Sequence, residues 1–328
     1  MASHSRSWLT YLTIMLCVAG VGWLVTLGGR SLFDSLSCRL DGNPSDRFVA
    51  ECPVGSFGDY DHGAFWFELE PAAIKNLKEA DVFFMGNSRT EFAFSTQIVQ
   101  EYFEQRNIKP YIFSFGYGEP SAFAQALLEK IGKTPKMMII NADPFFSDNL
   151  STASSPLVKW PLITFVQYWI KQKILHSHAA ICDAFLIICR DRPSVLHFVR
   201  MSKNGFLLVE GSRHKDAKPL SKNLPQPSLG PTDSNFAPTV AHAEAFLTSF
   251  NIERRCVVLT GVPTAKSQAE EWAKQLGQAL GVTVVQPSVG ELYSYDLNHL
   301  EPSSAIRWST AFLADLDPIL TKCLQTQR

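Results

Sequence analysis

Residues 81–96 read DVFFMGNSRTEFAFST, and this stretch indicates how the core of the chain folds. A short apolar strand at residues 82–85 is followed by a Gly-Asn turn, and Ser88 comes directly after that turn. A helix is expected at residues 96–106, because Ser95 is well placed as its N-cap residue. The stretch therefore predicts a strand–turn–helix unit that presents a serine at the carboxyl end of a strand.

The same alternation of strands and helices continues along the chain. Apolar runs predict further strands at residues 111–115, 137–140, 256–260 and 282–285. Helices are expected between and after them, at residues 121–131, 266–280 and 303–323. Because strands that alternate with helices form βαβ units, we predict an α/β fold with a mostly parallel sheet and helices on both faces.

Two regions lack this alternation of strands and helices. One precedes the predicted α/β domain, and the other lies within it. Residues 31–80 are predicted to form a stalk or cap, irregular as far as residue 63, and residues 81–328 to form the α/β domain. Within that domain, residues 147–236 are predicted to be a helical insertion followed by a proline-rich loop. Apolar residues there recur at helical spacing on one face, namely Leu162, Phe165, Val166, Trp169, Ile170 and Ile174. We expect the whole region to add to the core; a lid or a surface that lies against the membrane is the alternative.

The N-terminal segment differs from the rest of the chain. No charged side chain occurs in residues 8–29, a run about long enough to cross a hydrocarbon core of ~30 Å as a helix. We predict an uncleaved transmembrane helix, a signal anchor, at residues 1–30. The chain would then be a single-pass membrane protein with its main domain outside the cytoplasm, in the periplasm if the source is bacterial. A cleaved signal peptide is the alternative, although no clear A-x-A site follows the apolar run.

Composition limits the classes of partner and cofactor. A chain of 328 residues with 46% hydrophobic residues can bury a sizeable core. Its formal net charge of −1, from 30 basic and 31 acidic residues, provides no electrostatic footprint for nucleic acid, so no nucleic-acid partner is expected. No CxxC motif or His/Cys cluster indicates zinc, and we expect neither a metal nor another cofactor.

The cysteines are compatible with a location outside the cytoplasm. Cys38 and Cys52 bracket a polar loop and could form a disulfide in an oxidising compartment. Cys182 and Cys189 are expected to be small buried apolar residues instead, because seven residues of helix would hold them too far apart to pair.

A second motif lies far downstream, where residues 295–300 read YDLNHL. Asp296 and His299 are three residues apart, so both side chains can point towards one side of a turn. A serine hydroxyl is a poor nucleophile until a base takes its proton. A serine, a histidine and an aspartate are therefore the minimum equipment for nucleophilic acyl transfer.

Two more motifs accompany these: a Gly turn at residues 116–119, and an apolar strand that ends in N-A-D-P at residues 141–144. Together the motifs resemble those of the SGNH (GDSL-type) hydrolase superfamily. The resemblance covers residues 81–144 and 256–308. It implies a flavodoxin-like, three-layer α/β/α fold and an esterase or acyltransferase activity. Carried over by position, it implies that Ser88 is the nucleophile, His299 the general base and Asp296 the residue that orients the imidazole.

The same resemblance does not decide which groups form the oxyanion hole. The superfamily uses a backbone donor from a glycine, and both Gly116 and Gly118 fit that description. It also uses an asparagine side chain, but alignment of the strand ends places Asp143 there, and an ionised carboxylate cannot donate a hydrogen bond. Asn141 is the alternative side-chain donor. The helix after Ser88 is expected to add backbone N–H groups.

Two functions are consistent with these features. The first is a membrane-anchored extracytoplasmic esterase or O-acyltransferase that acts on acyl esters of a cell-envelope glycan or a similar substrate. The alternative is a catalytically weak or inactive SGNH-like binding or assembly subunit of envelope polysaccharide machinery. Asp143 in the oxyanion position and the large insertion motivate the alternative.

Two further predictions concern charged residues near these motifs. We expect Arg89 to form a salt bridge with an acid on a helix; a substrate or phosphate contact is the alternative. The segment D-Y-D-H at residues 59–62 also contains aspartate and histidine, but it precedes the first predicted strand and is expected to be a surface loop.

Overall fold

The computed structural model describes residues 46–52, 59–184, 197–210, 218–220 and 234–325, together with Met15. Apart from Met15, the predicted N-terminal anchor lies outside the described residues. Among the residues that are described, no helix combines the length and apolar character that a membrane crossing requires.

The strands of the described residues are short. They are β1 (Arg47–Glu51), β2 (Val82–Asn87), β3 (Pro110–Phe115), β4 (Met137–Asn141), β5 (His197–Met201), β6 (Leu207–Glu210), β7 (Lys218–Pro219), β8 (Val257–Thr260), β9 (Thr283–Val284) and β10 (Tyr293–Ser294). The helices are α1 (Tyr60–Trp66), α2 (Pro71–Glu79), α3 (Ser88–Ala93), α4 (Thr96–Glu104), α5 (Ser121–Ile131), α6 (Ser155–Lys159), α7 (Pro161–Ala184), α8 (Phe236–Ser249), α9 (Ala269–Leu280) and α10 (Pro302–Gln325).

A five-stranded parallel sheet forms the centre of the described part of the chain, with the strand order β3-β2-β4-β8-β9. In its register, Val82 pairs with both Pro110 and Met137. Every residue of β2 and β4 is buried, which explains why these strands are continuous apolar runs. The predicted α/β fold with a parallel sheet is therefore confirmed.

Two hydrophobic clusters cover the two faces of this sheet. Because successive side chains of a strand point to opposite faces, Phe83 and Met85 belong to one cluster, and Val82 and Phe84 to the other. The first cluster also contains side chains of α2, α5, α8 and α9, and the second contains side chains of α4 and α10. The sheet is thus covered by helices on both sides.

A second, antiparallel sheet joins two regions for which no strand was predicted. Its order is β1-β5-β6, with Val49 opposite Val199. Strand β1 lies in the stretch expected to be irregular, and β5 and β6 lie in the insertion expected to be helix and loop. The turn between β5 and β6 packs on the central sheet, where the backbone N–H of Ile112 donates to Asn204 at 2.8 Å. Gly205 (φ 71°) is required there, because a Cβ would lie 2.4 Å from the Ile112 carbonyl oxygen.

The Asp-His pair at residues 61–62 is not in a surface loop. Both residues lie in α1, and both are buried. Helix α7 packs against α1, with the rings of Tyr60 and Tyr168 stacked at 6.3 Å and the Tyr168 hydroxyl donating to Asp59 at 2.9 Å. The expectation of a loop was wrong because the covering helix comes from a region about 100 residues further along the chain.

Residues 147–236 add side chains such as Leu157 and Tyr168 to the core, but most of the apolar face of α7 stays outside it. Ile174 packs against the core, but the side chains of Leu162, Phe165, Val166, Trp169 and Ile170 are exposed. Helical spacing predicts that apolar residues share a face, but it does not predict what covers that face.

A disulfide that we did not predict links Cys256, next to β8, to Cys323 near the end of α10. Cys52 is also disulfide-bonded. Cys38 and Cys189 lie outside the described residues, so the predicted pairing of Cys38 with Cys52 stays a prediction.

Candidate active site

Ser88 is the first residue of α3, at the carboxyl end of β2. The turn before it is tight: Gly86 (φ 149°) has no room for a Cβ, which would lie 2.1 Å from the hydroxyl oxygen of Thr90. The Asn87 side chain caps the helix by accepting a hydrogen bond from the backbone N–H of Arg89 at 3.0 Å. This strand–turn–helix unit holds Ser88 at the edge of the central sheet where catalytic groups gather in parallel α/β folds.

Asp296 and His299 lie in a turn between β10 and α10. One carboxylate oxygen of Asp296 accepts hydrogen bonds from the backbone N–H groups of Asn298 and His299, at 2.9 and 2.8 Å. The Tyr295 N–H donates to the His299 carbonyl at 3.0 Å and closes the turn. The aspartate therefore fixes the backbone that carries the histidine.

The structure brings the three predicted catalytic residues together. The Ser88 hydroxyl oxygen lies 2.8 Å from His299 Nε2, and His299 Nδ1 lies 2.8 Å from the second carboxylate oxygen of Asp296. The contact between Ser88 and His299 joins residues that are 211 positions apart in the sequence. In this geometry the imidazole can donate its Nδ1 proton to Asp296 and accept the Ser88 proton at Nε2.

The surroundings keep the imidazole in the form that can act as a base. Burial lowers the pKa of His299 below its usual value, and the positive charges of Arg89 and Lys266 act in the same direction against the raising effect of Asp296. Burial alone would raise the pKa of Asp296, but His299 and the backbone N–H groups that bind it hold that pKa below its usual value. A neutral imidazole beside an ionised carboxylate follows at neutral pH.

Aromatic side chains line one side of His299. The ring of Phe92, one turn of α3 after Ser88, lies 4.7 Å from the imidazole ring centre. Phe198 of β5 contacts Phe92 at 5.5 Å, so the antiparallel sheet reaches the candidate site. Ser88 and Phe92 are four residues apart on a helix and therefore share a face, so the sequence could have indicated that Phe92 lies near the residues that contact Ser88. Sequence reasoning had no comparable signal for Phe198.

The candidate oxyanion residues differ in what they can donate. Asn87 pairs with Phe115 in the sheet, so the next residues, Ser88 and Gly116, lie side by side at its edge. Gly118 follows in a turn with φ 62°. Asn141 is buried, with its side-chain oxygen on the Val262 N–H at 3.1 Å and its amide nitrogen 3.4 Å from the Asp143 carbonyl oxygen. The Asn141 side chain is thus used to hold two turns.

Asp143 is part of an ion pair that spans the site. Its carboxylate lies 2.5 Å from the Arg89 guanidinium and also accepts a hydrogen bond from the Ser267 hydroxyl. Arg89 also donates to the Asn298 side chain at 2.9 Å, next to His299. Arg89 was expected to pair with an acid on a helix; it pairs instead with an acid that follows β4. This arginine offsets the negative charge that Asp143 would otherwise place near Ser88.

A network of buried charges that sequence reasoning missed lies under the same edge of the sheet. Arg200 of β5 is fully buried and donates to Asp61 at 2.9 Å and to Glu91 at 2.6 Å. His62 lies between Asp61 and Glu119, at 3.0 Å from each. Burial alone would lower the pKa of His62, but these two carboxylates raise it to about 10. The imidazole is therefore a buried cation in an ionic network.

Glu51 of β1 lies at the margin of this network, beside the candidate oxyanion glycine. One of its carboxylate oxygens is 3.2 Å from the position that a Cβ on Gly116 would occupy. Burial, together with the negative charges of Asp61 and Glu91, raises the pKa of Glu51 from 4.5 to about 8. The carboxyl group is therefore protonated in the folded chain at neutral pH.

This shift predicts how stability depends on pH. Between the unfolded pKa of 4.5 and the folded pKa of about 8, the folded chain keeps a proton on Glu51 that the unfolded chain loses, so stability decreases as the pH rises. The difference corresponds to on the order of 5 kcal/mol. We expect Glu51→Gln, which cannot ionise, to remove most of this loss.

Urea unfolding of both chains across this pH range measures the effect. A substitution of the exposed Glu101 by glutamine is the control, and it should leave the pH dependence as in the wild type. If Glu51→Gln and the wild type lost stability in parallel, Glu51 would not carry the raised pKa.

Comparisons with known protein families, with curated protein sequences and with solved structures found no match. Among the residues that the structure describes, no group of His, Cys, Asp and Glu side chains is arranged to hold a metal ion. The resemblance to the SGNH superfamily stays a prediction, and the arrangement of Ser88, His299 and Asp296 is the structural observation that bears on it.

Proposed function

We propose that this chain is a serine esterase or O-acyltransferase of the SGNH (GDSL) type. The observation that carries the proposal is the hydrogen-bonded chain from Ser88 through His299 to Asp296, with 2.8 Å at each step. The strand order supports it, because the five parallel strands taken along the sequence have the order 2-1-3-4-5. This is the order of a flavodoxin-like α/β/α domain, in which ligands bind outside the carboxyl end of the first strand.

In the proposed reaction, the Ser88 oxygen attacks the carbonyl carbon of an ester while its proton moves to His299 Nε2. The tetrahedral intermediate collapses to an acyl-serine, and the leaving alcohol takes the proton from His299. Water or a sugar hydroxyl then attacks the acyl group and returns the proton to Ser88 through the same imidazole. Asp296 stabilises the imidazolium in both halves of the reaction.

The backbone N–H groups of Ser88 and Gly116 are the oxyanion donors that we propose, because the two residues lie side by side where the sheet ends. The Arg89 N–H is engaged by the Asn87 cap, so the helix after Ser88 provides fewer donors than expected. The Asp143 carboxylate is not a donor; its proposed role is to hold Arg89 beside Asn298, which contacts His299.

The proposed setting is the outer side of a membrane, with residues 1–30 as a single-pass anchor and an acyl ester of an envelope glycan as the substrate. The disulfide between Cys256 and Cys323 supports an oxidising compartment. The uncharged run at residues 8–29 supports the anchor.

Asp143 favours a second candidate function. Within the described part of the chain, no side-chain amide stands free at the position where the superfamily has its third oxyanion donor, because Asp143 pairs with Arg89 and Asn141 holds turns. A chain without full catalytic competence would serve as an SGNH-like binding or assembly subunit of envelope polysaccharide machinery.

Covalent labelling of the folded chain with a fluorophosphonate probe distinguishes the two functions. We expect the wild type to be labelled and Ser88→Ala to be unlabelled, because the probe reacts with a serine that a neighbouring base activates. Ser249→Ala is the matched control; its hydroxyl only bonds its own helix, at the Phe246 carbonyl, and labelling should be unchanged. Equal labelling of wild type and Ser88→Ala would exclude Ser88 as the nucleophile. Absence of labelling in every chain would favour the binding subunit.

A further inference from the structure

Helices α6 and α7 carry a dense group of exposed apolar side chains. Trp160 is 64% exposed, Leu162 81% and Ile163 62%. The others are Val158, Phe165, Val166, Trp169 and Ile170, all of which are also exposed. We call these eight side chains the α6–α7 face. Isolated exposed apolar residues are normal, but a contiguous group of this kind marks an interaction site.

The remainder of α7 explains why this group stays uncovered. Thr164, Tyr168 and Leu175 are buried on the side of the helix that faces the domain, where Tyr168 packs on α1. Residues 161–170 of α7 thus carry apolar side chains on two sides and are covered on only one. A helix that is apolar nearly all round is normally buried in protein or in lipid.

Charge and residue type favour lipid. No Asp or Glu occurs between Asp148 and Asp183, whereas Lys159, Lys171 and Lys173 do. Lys171 pairs with Asp59 at 3.1 Å on the covered side of the helix, so Lys159 and Lys173 are the exposed lysines. Lys173 lies 5.6 Å from the centre of the Trp169 ring, an amphipathic pair of the kind found where headgroups meet acyl chains. The apolar core of a protein–protein interface is depleted in lysine, whereas a helix bound at a membrane surface is rich in Lys and Trp.

We propose that the α6–α7 face binds the surface of a bilayer that contains anionic lipids. Helix α7 lies along the interface, with its exposed apolar side chains about 5–10 Å into the boundary between headgroups and acyl chains. Lys159 and Lys173 meet the lipid phosphates. The anchor proposed for residues 1–30 would hold the domain close enough for this contact. The contact does not require Ser88 chemistry, so it can hold or fail independently of the proposed function.

Lipid-dependent quenching tests the contact in the full chain. A fluorescent amino acid with an environment-sensitive NBD group replaces Leu162, and in a matched chain it replaces the exposed Gln278 of α9. Each chain is reconstituted in vesicles of phosphatidylcholine and phosphatidylglycerol, with or without nitroxide-labelled lipid. We expect blue-shifted emission and several-fold quenching by the nitroxide lipid at position 162, and neither at position 278.

The outcomes separate the possible occupants. Equal quenching at the two positions would overturn the proposal, and so would blue-shifted emission at position 162 without quenching, because protein would then cover the face. That protein would be a second copy of the chain or its own N-terminal segment. Replacement of Ile163, Val166 and Ile170 by serine should abolish quenching at position 162 without loss of folding, since all three are exposed. Equal quenching in vesicles of phosphatidylcholine alone would overturn the role of the lysines.

Discussion

Replacement of His299 by alanine is expected to lower kcat/KM for an activated ester by about 10³- to 10⁴-fold. The Ser88 hydroxyl has its hydrogen bond to His299 Nε2 at 2.8 Å, and without that base its proton has no acceptor when the oxygen attacks. The measurement is the rate of ester hydrolysis by the purified full-length wild type and variant. Both chains are also labelled with the fluorophosphonate probe under the same conditions. His242→Ala is the control, because His242 lies on α8 and faces Asp148 rather than the site.

If His299→Ala has a low rate, either the proposed base or the fold has been lost. The pH profiles of the wild type and the variant distinguish these two causes. Because burial lowers the pKa of His299, kcat/KM should stay on its plateau at neutral pH and fall only below the ordinary histidine pKa of 6.5. In His299→Ala the small residual rate should lack this step. A midpoint well above 6.5 in the wild type, or a persistent step in the variant, would contradict the role of His299 as the general base.

The second large effect concerns stability. We expect Arg200→Met to lower the free energy of unfolding by about 3–5 kcal/mol, because it leaves buried Glu91 without its cation and leaves Asp61 with His62 alone. The guanidinium also donates to the backbone carbonyls of Ser114 and Gly205, at 2.8 Å each, and methionine cannot. Such a loss is a large fraction of the stability of a typical domain.

Urea unfolding measures this loss, and a second substitution shows its cause. Burial raises the pKa of Glu91, and Arg200→Met removes the cation that opposes this rise, so Glu91 must either stay charged without a cation or take up a proton. Adding Glu91→Gln avoids both costs with a neutral amide of similar size, so the double variant should be more stable than the single one. Lys203→Met is a control on the same segment, since Lys203 forms only an exposed pair with Glu104 and should change stability by less than about 1 kcal/mol. If the double variant were the less stable one, packing rather than charge would account for the effect of Arg200.

Local patterns in the sequence were sufficient to predict the central sheet and to single out Ser88, Asp296 and His299, which the structure brings together. Strands β2 and β4 are uninterrupted apolar runs because both of their faces are buried, and such runs are visible in a single sequence. The spacing of Asp296 and His299 was informative because one turn positions both side chains. The predicted helix at residues 121–131 has the observed bounds, with Gly132 in the left-handed conformation as its C-cap.

The features that the sequence did not predict all depend on contacts between distant segments. Strand β1 pairs with β5 about 150 residues later, and neither segment has a sequence pattern that indicates which strand it pairs with. Arg200 acquires its role only when α1, α3 and β3 surround it. The pairing of Cys256 with Cys323 spans 67 positions, so spacing alone could not select it from the seven cysteines.

The bond between Cys256 and Cys323 also affects what happens when the backbone is cut. It encloses the whole segment that carries Asp296 and His299 and would stabilise the fold by about 4 kcal/mol through loop closure. A protease that nicks the chain once inside this segment releases no fragment while the bond is intact. The piece with Asp296 and His299 remains tethered to β8, which only β4 separates from the strand that leads to Ser88.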